Sequence, residues 1–494
     1  MNKKLFSATI VALLSLTPIK AQINLVKKFA DIQVPQAFYV HKGKLYFTAR
    51  EGGIANYELW AYDDNQPISS DNPKQLIDLD NDPNNGSFPK NFTTYNGKLF
   101  FSNNFYNYSY DDTLPISSTN PKKIGARGNN FRILDNKLFY EDPAASPFSI
   151  WTFDDNLPYS SSNPKRLVLP NVNPIMTNFK FYNTIFNGKL YFNGKTTTDQ
   201  NFELYVYNPA LPTSYTNPGI VYDINPGIYG SNPANFITFQ NKLYFSANDG
   251  TGEELWVYDG TNNPTKVHDF DTSPYGGEAR HKTIYNDKMY FAAHNNVIGT
   301  ELWRYDGTNT PELVADIYPG PEFSMPRNLT VFNNKLIFDA INDVNGRELW
   351  IYDSTIPTSS SNPRLIDVAP GPGNGFDSES SFVIYNNTLY FGGRTSSSNA
   401  GLFSLENAYL STKETEAISK ADIKIYQNQT GNEVTVESAE NLQEIQVLNA
   451  VGQYILKKSS NNKKETISLD NKGLYYLVIK TTKNMRIVKK IMVK

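Results

Sequence analysis

The chain has 494 residues and no cysteine, so disulfides, thiolate nucleophiles and cysteine-held metals are excluded. Its formal net charge of −3 is unevenly spread: three lysines fall in the first 21 residues, and 420–494 hold 13 basic against 7 acidic residues, which leaves −12 on the stretch between. An acidic body argues against a nucleic-acid partner, whose phosphates need a basic face.

Residues 1–21 read as a secretory signal. Lys3 and Lys4 form the charged start, and 5–16 are an apolar run of 12, too short to span a bilayer. Ala21 is the expected last residue of the signal and Gln22 the new N-terminus. No cysteine follows to carry a lipid, and no later segment is long and apolar enough for a transmembrane helix.

Residues 22–406 are built on one stretch. In 241–259 it holds an alternating strand (242–247), the turn Asn248-Asp249-Gly250, and a second strand, Glu254-Leu255-Trp256-Val257-Tyr258-Asp259. The second strand recurs with its Trp position at 60, 108, 151, 205, 256, 303, 350 and 403, at spacings of 43–54 residues. A repeat of that length made only of strands points to propeller blades, each with four strands, A to D. Asn-Gly turns at 96–97 and 187–188 join A to B, the strongest short-range hairpin signal.

The run 25–32 matches the D runs 312–317 and 364–368, and it precedes the first A run. The eighth copy has no D run after it. The expectation is therefore a ring whose first strand completes the last blade and removes two sheet edges. The fold class predicted is all-β: an eight-bladed, alternatively seven-bladed, β-propeller followed by a small immunoglobulin-like β-sandwich. Residues 407–421 read as a polar linker, and 422–494 hold six short strand runs at sandwich spacing.

The C-to-D loops share a Ser-Ser-x-Asn-Pro run ending at Pro73, Pro121, Pro164 and Pro363, on the face of the tight A-to-B turns. The D-to-A and B-to-C loops form the opposite face. Candidate binding residues there are Asp249, Glu253, Glu322, Asp343 and Arg347. The repeated Trp and Tyr are expected as blade core, because both faces of a blade abut neighbours, and the repeated Glu is expected to bond turn amides or hydroxyls. Asp80, Asp82 and Asn84 place oxygens at alternate positions, like the start of a calcium loop, but Asn91 stands where a bidentate Glu belongs. Calcium apart, no cofactor is expected. His41, His268, His281 and His294 lack metal-ligand spacing, and no hydrolase or phosphate-loop signature is present.

Glu254-Leu255-Trp256-Val257-Tyr258-Asp259-Gly260-Thr261 and its match at 301–308 resemble the bacterial repeat proteins named for Glu-Leu-Trp-x-x-Asp-Gly-Thr. The likeness covers roughly 25–405 and implies a secreted, propeller-forming protein of the Bacteroidetes type, with no defined activity. A looser likeness is to kelch blades. Residues 422–494 are similar to the type A sorting domain of the type IX secretion system, on 431–436, 447–453, 472–478 and the basic end 489–494. The family's Tyr-Pro-Asn-Pro is here Tyr426-Gln427-Asn428-Gln429. That resemblance implies export through the periplasm, recognition of 422–494 by the secretion machinery, and surface attachment or release. The expected protein is a monomeric, secreted or outer-surface, non-enzymatic binder of an extracellular glycan or protein. The alternatives are a carbohydrate-active enzyme using the channel face and a structural surface protein without a single ligand.

Overall fold

The computed structural model describes residues 23–28, 35–50, 56–79, 86–142, 149–167, 172–174, 183–196, 201–214, 216–360, 362–376, 380–396, 400–405, 423–427, 433–449, 454–469, 472–482 and 486–493. The signal segment with Ala21 and Gln22, the calcium candidate Asp80, Asp82 and Asn84, and the linker lie outside them. The chain divides into two compact units, 1–406 and 407–494. Among the described residues every regular element is a strand, and no helix is long and apolar enough to cross a membrane.

The described part of the first unit is a propeller-like ring of eight small antiparallel sheets. The fifth sheet is representative: Ala234–Phe239, Lys242–Asn248, Glu253–Tyr258 and Thr265–His268 lie in chain order as strands A to D. Its A-to-B hairpin turns through Gln240 and Asn241, both at positive φ, where asparagine and glycine are tolerated best. The fourth sheet carries an additional strand, Val172–Pro174, on the far end of its B strand, which the repeat pattern does not announce. Neighbouring A strands approach one another from the first sheet round to the eighth, and the eighth returns to the first.

Alternation in the C strand explains the packing. Leu255 and Trp256 point to opposite sides of the fifth sheet. Trp256 packs with Phe186, Leu204 and Phe245 between sheets four and five. Leu255 packs with Phe239, Met289 and Phe291 between sheets five and six. Each pair of neighbouring sheets shares such a cluster, and the seam has one too: Leu45, Phe47 and Trp60 of the first sheet meet Tyr385, Tyr390 and Leu402 of the eighth. A fully buried Leu or Phe contributes about 1.5–3 kcal/mol, so stability is spread around the ring.

The eighth sheet is completed by the N-terminal segment. Ile23–Lys28 pairs antiparallel with Ala400–Leu405, Ile23 opposite Leu405 and Lys28 opposite Gly401. The expected closure is present over 23–28, and 29–32 of the run lie outside the described residues. Aligning 30–32 with 315–317 would place Lys28 across from Phe403, and the structure places Leu25 there. Backbone bonds to the last sheet set that register, and a motif match does not report them.

The second unit holds two antiparallel sheets. Ile423–Gln427, Glu433–Ser438 and Lys464–Ser468 form one, and Tyr454–Ser459, Leu442–Asn449, Gly473–Thr481 and Arg486–Val493 form the other. They share one core that includes Val434, Val436, Ile445, Leu477 and Ile479. Tyr454–Ser459, rich in lysine and exposed along much of its length, went unseen among the six predicted runs.

Candidate functional site

The loops above the starts of the A strands are fixed by the repeated glutamate. Glu301 is fully buried at the first turn of its C strand, and its carboxylate accepts Ile317 N–H at 2.7 Å, Ser324 N–H at 3.1 Å and the Ser324 hydroxyl at 2.6 Å. Glu58, Glu203, Glu254 and Glu348 grip their own D-to-A loops through backbone N–H groups in the same way. Burial pushes the carboxyls of Glu58, Glu254 and Glu301 up to about 7 and that of Glu348 to about 8, against the opposing pull of their donors. In the second sheet Tyr106 stands at the glutamate position, and the buried Asn107 accepts Gly128 N–H at 2.7 Å.

On the opposite face the Ser-Ser-x-Asn-Pro run is a hydrogen-bonded knot. Asn72 Nδ2 donates to the carbonyls of Asp63 at 2.7 Å and Gln66 at 3.0 Å, while its Oδ1 accepts Asp63 N–H at 2.9 Å. Asn120, Asn163, Asn217 and Asn362 repeat the arrangement, each before a cis proline. Asn217 belongs to a fifth copy hidden by Tyr215 within the run. In sheets five and six a short Asp-Gly-Thr turn replaces the knot, and Asp259 and Asp306 accept the N–H groups of the turn.

The expected core tryptophans behave as such at Trp60, Trp256 and Trp350, which are buried, while Trp151 and Trp303 are half-buried. The five loop candidates do not form one cluster of like function. Asp249 pairs with Lys266 at 2.9 Å, and Glu253 bridges to Arg280 of the next sheet at 3.3 Å. Glu322 and Asp343 are exposed. Arg347 is buried, with Nη1 2.7 Å from Asp339 Oδ2 and 3.0 Å from the Met325 carbonyl, so it works as an internal strut.

A concavity among the described residues lies elsewhere. A cavity of about 290 Å³ is lined by Asn235, Phe236 and Ile237 of the fifth sheet, His281 and Lys282 of the sixth, Asn328, Leu329 and Thr330 of the seventh, and Ser381 and Phe382 beside the eighth. Those residues open the A strands, where a bulge puts one residue per strand at positive φ: Ala37, Asn91, Asn130, Asn235, His281 and Asn328. His281 is accessible to solvent in the cavity yet enclosed by protein, and this loss of bulk water drops its pKa to about 4. His294 instead lies 3.5 Å from buried Asp271 and stacks on Phe323, away from the cavity lining that holds His281. Asn235, His281 and Lys282 read as ordinary polar positions of an alternating run, which is why these residues escaped prediction. Three loops that lead into the lining strands carry exposed aromatics: Tyr229 at 74%, Tyr275 at 82% and Phe323 at 40%. Among the described residues no three His, Asp or Glu are placed to hold a metal ion.

Residues 424–494 match the family model of a secretion system C-terminal sorting domain. This is the sorting domain of the type IX system, and it indicates export to the outer cell surface or release. No curated protein matches the chain. Among solved structures it is similar to PorZ, an essential bacterial surface component of the type IX secretion system of Porphyromonas gingivalis: 10% identity, TM-score 0.38, covering 95% of this chain and 70% of that one. It is also similar to a structure from a study of two prolyl endopeptidases (11% identity, TM-score 0.45, 74% and 55% covered) and to the AfRom2 CNH domain (12%, 0.40, 78% and 99%). Overlaps of this size carry no argument about activity. The second unit is thus a type IX sorting domain, and the chain that carries it is a secreted surface protein.

Proposed function

We propose that the ring is an eight-bladed propeller of Glu-Leu-Trp-x-x-Asp-Gly-Thr repeats that recognises an extracellular glycan or protein, delivered by the sorting domain. In this reading 1–21 is a cleaved signal, and 422–494 is an immunoglobulin-like sandwich read by the secretion machinery. The observation that carries recognition is the division of labour among the repeated residues. The buried glutamates, the knot asparagines and most of the tryptophans are spent on structure. The face above the A strands is left with a cavity and exposed aromatics, the mixture of apolar platform and placed polar groups that ligand sites use. A carbohydrate-active enzyme would need an acid and a base converging on that cavity. Among the described residues, the polar groups lining it are amide, imidazole, ammonium and hydroxyl, without a carboxylate.

The test uses the secreted full chain on a glycan array, an outer-surface protein pull-down, and hydrolysis and lyase assays on the same polysaccharides. Saturable binding without turnover supports the proposal. Turnover would replace it with the enzyme reading, and neither binding nor turnover would leave a structural surface protein.

A further inference from the structure

Sheets five and six depart from a pattern that the second, third and seventh sheets keep. In three sheets the residue at the bulge is an asparagine whose amide ties the sheet together. Asn91 Nδ2 donates to Ser102 Oγ of the facing B strand at 2.9 Å and to the Gly128 carbonyl of the next sheet at 3.4 Å. Asn328 Nδ2 likewise reaches Asp339 at 2.7 Å and the Ser380 carbonyl at 2.8 Å, and Asn130 reaches Glu141 at 3.2 Å. The residue after the bulge is apolar: Phe38, Phe92, Phe131, Phe236 and Leu329.

In the sixth sheet that apolar position is Lys282. Its ammonium donates to Ser246 Oγ at 3.0 Å, to the Asn235 carbonyl at 3.2 Å and to the Ala279 carbonyl. Ser246 corresponds to Ser102, and Ala279 to Gly128, by strand pairing. Lys282 has therefore taken the partners that the Asn235 amide would bind. In the sixth sheet Ala292 stands opposite the bulge and offers His281 no polar group. Both side chains line the cavity, and among the described residues neither makes a side-chain hydrogen bond.

Resting on the recognition reading above, we infer that the cavity receives a neutral, hydroxyl-rich sugar unit, read by the Asn235 amide and the His281 imidazole, with Lys282 as a positioning residue. Amide and neutral imidazole each both donate and accept, as a sugar hydroxyl requires. The ammonium that lines the cavity already has protein partners: Lys282 donates to three acceptors. About 290 Å³ is at the small end of ligand pockets, which suits one terminal sugar rather than a polymer interior. Tyr229, Tyr275 and Phe323, on the loops entering the three lining strands, provide apolar surfaces for the sugars that follow.

The test titrates the full chain by calorimetry with the neutral oligosaccharides (cello-, malto-, manno- and xylo-series) that bind best on the array. His281→Ala and Asn235→Ala are each expected to weaken binding at least about tenfold, the scale of one lost ligand hydrogen bond. Lys282→Phe restores the residue found in four other sheets. It is expected to keep the melting temperature while binding falls, because the Asn235 amide regains Ser246. Binding that persists unchanged in all three variants overturns the cavity assignment and leaves glycan recognition standing. Binding confined to uronic-acid oligomers overturns the neutral-sugar assignment. An array on which the unmodified chain binds no glycan removes both this inference and the glycan half of the recognition reading.

Discussion

Asn362 links Asp353, Ile356 and Pro357 into one turn, and its amide donates to their three carbonyls while accepting a fourth bond, from Asp353 N–H. Asn362→Ala removes these bonds from a turn whose Ile356 and Pro357 are exposed, so urea unfolding should show a loss of about 1 kcal/mol. Glu301 supports a second prediction. Burial raises its carboxyl to about 7, above the value in an unfolded chain. The folded ring therefore binds protons more readily than the unfolded chain between about pH 4.5 and 7. That contribution is complete below about pH 4.5 and is lost as pH rises through 7. Glu58, Glu254 and Glu348 act with the same sign, so the melting temperature should be higher at pH 5 than at pH 8.5. Glu301→Gln should make that pH slope shallower. An unaltered slope would show that Glu301 does not titrate there. The role of the glutamate was legible, because a charged residue repeated inside a strand pattern must bond to something. The partner was not, since Ser324 lies 23 residues away.

At the scale of elements, each sheet leans on the next through its last A-strand residue. Tyr285 donates its hydroxyl to the Asn334 carbonyl at 2.9 Å, and Tyr385 donates across the seam to the Gly43 carbonyl at 2.6 Å while accepting Asp64 N–H at 3.3 Å. Tyr385→Phe keeps the ring in its cluster and removes both bonds. A loss of about 1 kcal/mol in stability is expected, without any change in strand content by circular dichroism. The strand order was readable from alternation and turn residues. The bulges that open the A strands were not, because Asn91 or Asn235 within an alternating run looks like ordinary polar spacing.

For the whole molecule, closure is the largest single decision. Without 23–28 the strand Ala400–Leu405 becomes a sheet edge, although the seam cluster and Tyr385 still bind the first sheet to the eighth. Deleting 23–28 should lower the melting temperature by several degrees and promote association between chains, read by light scattering. Unchanged values for both would mean that the pairing contributes nothing in solution.

The sequence by itself pointed to an all-β chain of small antiparallel sheets, the terminal strand that completes the eighth sheet, and the sorting domain at the C-terminal end. These are local or periodic signals: alternation, turn chemistry and a repeated motif are written in adjacent residues. Tertiary structure decided the register of that strand, the burial of Arg347, and the exchange of partners between Lys282 and Asn235. Each depends on atoms from different sheets meeting at a few ångströms, and residues 36–47 positions apart in the chain carry no mark of that meeting.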